Sequence, residues 1–374
     1  MQRGLRAIKR DRPLEVVMVA DNLERNGISS FIMESCRHMD RERVRSTVLV
    51  GGEVDRQYAD LAMKARIPIE QLPNRKHNPL AYYRQLGLYL QEHQVDMVHI
   101  HGNSRTMTME LLIARHHGIA VRIAHSHNTT CTHKILHTLL KPAFNHAYTS
   151  GFACSDSAGR WLFDDRPFTV IPNGVQIEHF LYDSDVRRSE RSRLGLDGRF
   201  VLGHVGGLNT QKNQVFLIEV FEELAQHRPD AVLLMVGDGP DRQMLAERIS
   251  RSPHRDRIML YGQSSDPRDL YMVMDVLVFP SLFEGLPITL LEAQISGLPC
   301  LVSDRVDGQA FLSDMVASLP LEGSAHRWAQ QLATMEMNRN RSAFLRDHAA
   351  QCARVDITAS SQLLTREYGN FASQ

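Results

Sequence analysis

Residues 279–304 read FPSLFEGLPITLLEAQISGLPCLVSD. The apolar run that leads in, residues 276–279, has the pattern of a buried strand, and Pro280-Ser281 breaks it. A short loop then carries Glu284 and Gly285. Pro287 suits the first position of a helix, where a missing N–H costs nothing. The pattern predicts a helix to about Ser296, ended by Gly297, and a further strand over residues 299–303. A carboxylate and a glycine therefore sit at the carboxyl end of a strand and the start of a helix. Open α/β sheets hold ligands at such places, and a helix start offers an anion N–H groups and a positive dipole end. Glu292 lies five residues beyond Pro287, roughly 7–8 Å along the helix. Its neighbours Leu290, Leu291, Ala293 and Ile295 are apolar, so its carboxylate needs a partner.

The same strand–loop–helix grammar repeats in both directions. Upstream, residues 200–205 form a strand pattern, followed by Gly206-Gly207-Leu208-Asn209-Thr210-Gln211-Lys212-Asn213 and a helix with Phe216, Leu217, Val220 and Leu224 on one face. Lys212 at a helix start opposes the macrodipole and calls for an anion. Residues 231–236 and 259–262 read as further strands. In the first half, residues 14–20, 47–50, 96–101, 121–125 and 151–155 read as strands with helical stretches between them. Asn26-Gly27 fills the first such loop. Alternation of this kind implies parallel sheets covered on both faces. Pro172-Asn173-Gly174 is a breaker cluster, and the apolar-poor run 183–193 extends it into an expected interdomain linker. Residues 133–148 read as helix with a break at Pro142, and residues 357–371 as a last amphipathic helix.

Ten of the 18 histidines fall between His93 and His146. Strand alternation puts His99 with His101 on one face, and His125 with His127 on one face. H-x-H is a weak metal signal and no cysteine or carboxylate set stands at ligand spacing, so no metal site is expected. The histidines read as polar filling near the mouth of the sheet.

At 374 residues the chain is expected to form two domains. Lysine plus arginine and aspartate plus glutamate each number 43, which argues against a general nucleic-acid binder. Five scattered cysteines fit reduced thiols and a cytoplasmic protein rather than a disulfide framework. No apolar run approaches a membrane span, and no signal peptide is visible. Arg3, Arg6, Lys9, Arg10 and Arg12 make the first twelve residues basic. They read as a solvated tail, with peripheral contact to the inner, anionic membrane surface as the alternative.

The spacing Glu284-x7-Glu292, with Gly285 beside the first and Pro299 closing the segment, resembles the donor-binding signature of retaining GT-B glycosyltransferases of family 4. The resemblance covers residues 14–371. It implies an α/β GT-B fold of two Rossmann-like domains facing across a cleft. Residues 1–175 with the helix 357–374 would bind a glycan or lipid-linked acceptor, and residues 176–356 a nucleotide sugar such as a UDP- or GDP-sugar. No other cofactor is implied. The implied donor-binding residues are Gly27, Lys212, Gly262, Glu284, Gly285, Leu286 and Glu292. Glu284 would orient the sugar, Glu292 would hold the ribose, and His127 would stabilise developing charge beside the phosphate. Two departures stand out. Only Gly27 remains of a glycine pair, since Asn26 occupies the other position. Gly207 stands where the family has one of two diphosphate-binding cations, and Arg105 and Arg122 are candidates to replace it. A nucleotide-sugar epimerase and a non-catalytic sugar-nucleotide binder are the alternative readings.

Overall fold

A computed structural model describes residues 12–264, 266–322, 324–335 and 340–372. Arg3, Arg6, Lys9 and Arg10 of the basic tail lie outside the described residues. Arg12 is bound by both guanidinium nitrogens to the Asp96 carboxylate at 2.8 Å. The chain divides into two compact units: residues 1–174 with 357–374, and residues 175–356.

The first unit is built on seven parallel strands: β1 (Leu14–Ala20), β2 (Val44–Val50), β3 (Ile69–Gln71), β4 (Met97–Gly102), β5 (Val121–Ser126), β6 (Ser150–Ala153) and β7 (Thr169–Val170), in the order β3-β2-β1-β4-β5-β6-β7. The second is built on six: β8 (Phe200–Val205), β9 (Ala231–Val236), β10 (Ile258–Gly262), β11 (Val276–Phe279), β12 (Cys300–Ser303) and β13 (Val316–Leu319), in the order β10-β9-β8-β11-β12-β13. In each sheet the order reverses beside the first strand, between β1 and β4 and between β8 and β11. These switch points are where helices diverge to opposite faces and leave a crevice at the carboxyl ends of the strands.

Both faces of the first sheet are covered by apolar side chains. Val16, Met18, Met97, Ile123 and Phe152 face one way, under Phe31, Ile32, Leu364 and Tyr368. Val17, Val19, Val98, Ile100 and Ala124 face the other, under Tyr82, Leu86, Leu111 and Phe144. Central β8, β9 and β11 are buried along their whole length, which is why they read as continuous hydrophobic runs. The helix Ile357–Ala372 completes the first core with Leu364 and Tyr368.

The run 183–193 departs from the linker expectation. Ser184–Arg193 is a helix capped by Asp183. Its arginines are its packing groups. Arg187 donates to the carbonyls of Met272 and Met274 and pairs with Asp275 at 2.5 Å, and Arg191 donates to the Val273 carbonyl. A helix that docks through charge has no apolar stripe for a sequence reading to find. The stretch 133–148 forms two helices, Lys134–Leu139 and Lys141–Ala147, with Pro142 in the first turn of the second. The five cysteines are free thiols, four of them buried, and burial pushes Cys36 up to about 12.

Candidate active site

In the second unit, the loops after β8 and β11 meet at the switch point. Lys212 Nζ donates to Glu284 Oε1 at 2.7 Å, and both side chains are largely buried. The same ammonium lies 4.6 Å from the centre of the Phe279 ring. Three hydrogen bonds join the two loops: Leu282 N to the Gln211 carbonyl, Gln211 Nε2 to the Phe283 carbonyl, and Asn213 Nδ2 to the Pro280 carbonyl. Lys212 closes a one-turn 3-10 helix, Thr210–Lys212, and Asn213 in the left-handed region (φ 56°) separates it from the helix Gln214–His227. It therefore stands one turn ahead of the helix start that the sequence assigned to it. Asn209 sets that turn, its side chain accepting from Lys212 N at 3.2 Å.

Behind the glycine loop, buried His204 donates Nδ1–H to the Val278 carbonyl at 3.0 Å. It accepts at Nε2 from Gln214 Nε2 at 3.1 Å. Gln214 also donates to the Gly207 carbonyl at 2.9 Å. Burial pulls His204 down to about 4, so it stays a neutral strut. A Cβ on Gly237 would stand 1.9 Å from the Gly206 carbonyl oxygen, so this loop is closed by backbone approach. Gly262 ends β10 at φ 89°, a conformation other residues resist.

Gly285 and Leu286 are buried between Glu284 and Pro287, and the helix itself spans Ile288–Ile295. Glu292 lies on that helix and has the partner its surroundings demand. Tyr271, fully buried, donates its hydroxyl to Glu292 Oε2 at 2.7 Å. Burial still dominates and lifts Glu292 to about 7, with Tyr271 working against the shift.

In the first unit, Gly27 is the first residue of the helix Gly27–His38, after β1. Asn26 caps that helix by accepting from Ser29 N at 3.0 Å. That is a physical use for asparagine where a second glycine was expected. His99 and His101 on β4 join His125 on β5 and His127 just past it in one buried array on the face under Phe31. His99 Nε2 meets His125 Nδ1 at 3.0 Å, and His101 Nδ1 meets His127 Nε2 at 3.0 Å. His99 Nδ1 meets the Tyr368 hydroxyl at 2.6 Å. The rings of His125 and His127 stack at 4.1 Å. Ring nitrogens of His99, His101 and His125 come within 4.8 Å of one another, but His99 and His125 already spend nitrogens on each other and on Tyr368. Burial holds all four neutral, His127 down to about 3. His127 is 8% exposed, and its Nδ1 has no hydrogen-bond partner among the described residues.

Arg105 and Arg122 do not fit the replacement role. Arg105 is buried, donating to the Leu162 carbonyl and to Asp164 Oδ2 at 2.6 Å. Arg122 lies at the amino end of β5, with its guanidinium on the carbonyls of Ala147 and Ile119.

Comparison with known proteins bears on this arrangement. The family model "Glycosyltransferase Family 4" matches residues 25–179, and "Glycosyl transferases group 1" matches residues 186–339. Anabaena HepE, solved with UDP and glucose, superposes with a TM-score of 0.80 at 18% identity, covering 95% of this chain and 99% of its own. WaaG, described as a lipopolysaccharide-biosynthesis glycosyltransferase, superposes at 0.74 and 18% identity, covering 94% of this chain and 99% of its own. The chain is a GT-B glycosyltransferase. Among curated proteins, EpsF of Bacillus subtilis (strain 168), a provisionally named glycosyltransferase, is 27% identical over 352 residues, 90% of this chain and 91% of that protein. The UDP-Gal:alpha-D-GlcNAc-diphosphoundecaprenol alpha-1,3-galactosyltransferase of Escherichia coli is 30% identical over 237 residues, 59% of this chain and 61% of that enzyme.

The glycosyltransferase thus gathers Lys212, Glu284, Gly285 and Leu286 at one switch point and sets Glu292 along the adjoining helix. Gly27 and His127 belong to the other unit. Sequence reading missed Tyr271, His204, Gln214 and Tyr368. Glu292 and the strand-end histidines signalled that partners were needed, but their identity depends on contacts up to 269 positions apart.

Proposed function

We propose that the enzyme transfers a sugar from a nucleotide sugar to a hydroxyl of a glycan or lipid-linked acceptor, with retention at the anomeric carbon, in the assembly of a cell-surface polysaccharide. The Lys212–Glu284 pair at the second switch point carries the reading. As the glycosidic bond to the diphosphate breaks, charge grows on the leaving oxygens, and Lys212 turns from its carboxylate partner to meet it. Glu284 then faces a reacting carbon of oxocarbenium character and orients the sugar hydroxyls. Glu292, held by Tyr271, takes the ribose hydroxyls. Gly262 presents backbone to the base, and Gly27 leaves room beside the sugar. Neutral His127 donates a hydrogen bond to the developing charge without carrying charge itself.

The UDP and glucose of the HepE complex support a UDP-sugar donor, and the polyprenyl diphosphate sugar named for the Escherichia coli relative supports a lipid-linked acceptor. The test is incubation with a panel of labelled nucleotide sugars, with and without acceptor glycans. Nucleoside diphosphate release that depends on acceptor, and an anomeric product of unchanged configuration by NMR, are expected. Release without acceptor, interconversion of the donor sugar, or an inverted product contradicts the proposal.

A further inference from the structure

A cavity of about 590 Å³ opens in the second unit at the amino ends of β8 and β11. The loops that hold Lys212 and Glu284 leave the carboxyl ends of the same two strands. The length of β8, about 20 Å of strand, therefore separates the two places. The volume is that of a small-molecule site, but the walls are neither apolar nor balanced in charge. Five arginines and two aspartates line the cavity, an excess of three positive charges, and among the described residues no glutamate or lysine does.

Three of the arginines have a structural task. Arg187, Arg191 and Arg341 converge on the end of the helix Arg268–Val273. Arg187 donates to the carbonyls of Met272 and Met274, Arg191 to that of Val273, and Arg341 to those of Tyr271 and Met274 at 2.9 and 3.0 Å. Cations suit a helix C-terminus, but here their charge is under-compensated. Arg187 and Arg191 share the one carboxylate of Asp275, which also accepts from Val201 N at 2.8 Å. Arg341 has no carboxylate partner among the described residues. Burial, aided by the neighbouring charge of Arg187, pulls it down to about 9.

The other two arginines have no such task. Arg199 is exposed, and its guanidinium has no partner among the described residues. Arg228 lies 3.6 Å over the Phe200 ring and gives only Nε to Asp230, at 3.3 Å. Its two terminal nitrogens have no partner among the described residues. Arg341 covers the Tyr182 ring in the same way, at 4.5 Å. Each ring in the cavity thus carries a guanidinium on one face, so a ligand meets cations before rings. Neighbouring carboxylates do not restore the balance. Glu190 pairs with Arg193 and Asp185 with Arg188, and Asp197 adjoins Gly198 in sequence without lining the cavity.

We propose that this cavity binds a small anion with two or more phosphate groups, held by Arg199 and the free fork of Arg228 in the field of Arg187, Arg191 and Arg341. Guanidinium forks match phosphate oxygens two at a time, and the cavity is larger than a single phosphate fills. The inference does not depend on the reaction proposed above, because it is read as binding at the far end of the strands from the donor loops.

Calorimetric titration with sodium tripolyphosphate tests it, on the full chain and on Lys212→Ala, in which the donor loops have lost their cation. Binding is expected to persist in Lys212→Ala, and to be at least about tenfold tighter for tripolyphosphate than for inorganic phosphate. Made in that background, Arg199→Glu and Arg228→Ala should each weaken it at least about tenfold. Arg199 is solvent-facing and unpaired, so Arg199→Glu should match its parent by circular dichroism. It decides the outcome even where loss of the Phe200 stack unfolds Arg228→Ala. Arg188→Glu, on the helix Ser184–Arg193 with its side chain 78% exposed, is the control for diffuse charge and should bind as its parent. No binding, equal affinity for the two phosphates, binding that disappears in Lys212→Ala, or equal effects of Arg188→Glu and Arg199→Glu overturns the inference.

Discussion

Mild acid should unfold the first unit well before the second. His99, His101, His125, His127 and His137 are buried and held below their ordinary range, chiefly by burial. A histidine depressed in the folded state contributes stability that is present above its unfolded value of about 6.5 and is lost as pH falls below it, because the unfolded chain takes up the proton first. At pH 5.5 each costs on the order of 1 kcal/mol, so the five together cost several kcal/mol. Glu110 opposes them. Burial raises it to about 7, so its folded form gains on acidification by up to about 2 kcal/mol. The balance is still a loss of a few kcal/mol, a large share of the stability of an ordinary domain. In the second unit His204 alone pulls the same way, and Glu292, raised to about 7, offsets it. Its stability should therefore be nearly flat from pH 7.5 to 5.5. The two tryptophans separate the readouts, since Trp161 lies in the first unit and Trp328 is buried in the second. Urea unfolding of Trp161→Phe and Trp328→Phe variants, followed by fluorescence across that range, gives one midpoint per unit. A falling midpoint for the Trp161 signal and a steady one for Trp328 is expected. Parallel pH slopes would refute the claim that the array is neutral and tightly buried.

Further outcomes are expected at the donor site. Glu284→Gln should reduce transfer by at least about 100-fold, the scale of losing transition-state charge stabilisation, without weakening nucleoside diphosphate binding, because Lys212 is then released to the phosphate. Glu292→Ala should instead weaken donor binding by roughly 1.5–3 kcal/mol; calorimetry and kinetics on both variants check the division, and equal loss of affinity would sink it. Gly207→Arg should raise donor affinity by roughly 1–2 kcal/mol, since a Cβ there meets only Asn209 Nδ2, at 3.0 Å, and the Asp238 carbonyl, at 3.9 Å. Arg122→Ala should leave donor affinity unchanged in the same titration. Activity should survive a chelator, with Lys212 as the phosphate counter-charge; strict dependence on added divalent metal would return His99, His101 and His125 to consideration as ligands.

The central strands were legible because burial on both faces writes them as unbroken apolar runs; β1, β8, β9 and β11 begin and end where the hydrophobic pattern does. β3, β7 and β13 were not, being two to four residues long and at or next to sheet edges, where only half a pattern exists. Glu284, Gly285 and Glu292 were legible as a local string. That Glu284 spends its charge on Lys212, 72 positions earlier, was not, because pairing depends on strand order rather than spacing. The histidines were visible as a cluster, but Tyr368 as the partner of His99 was hidden in a helix that shows only ordinary amphipathic periodicity.

The membership of Ile357–Ala372 in the first unit has a consequence for biosynthesis. The first 174 residues leave the ribosome as a sheet whose core still lacks Leu364 and Tyr368, with the hydroxyl partner of His99 unmade. At about 5–20 residues per second, that piece arrives roughly 10–40 s later, after the whole second unit has been synthesised. During that interval the β1–β4–β5 face that Leu364 and Tyr368 will cover is open to other apolar chains. Deleting the helix Ile357–Ala372 would prolong it indefinitely, so soluble yield should fall sharply without Leu364 and Tyr368.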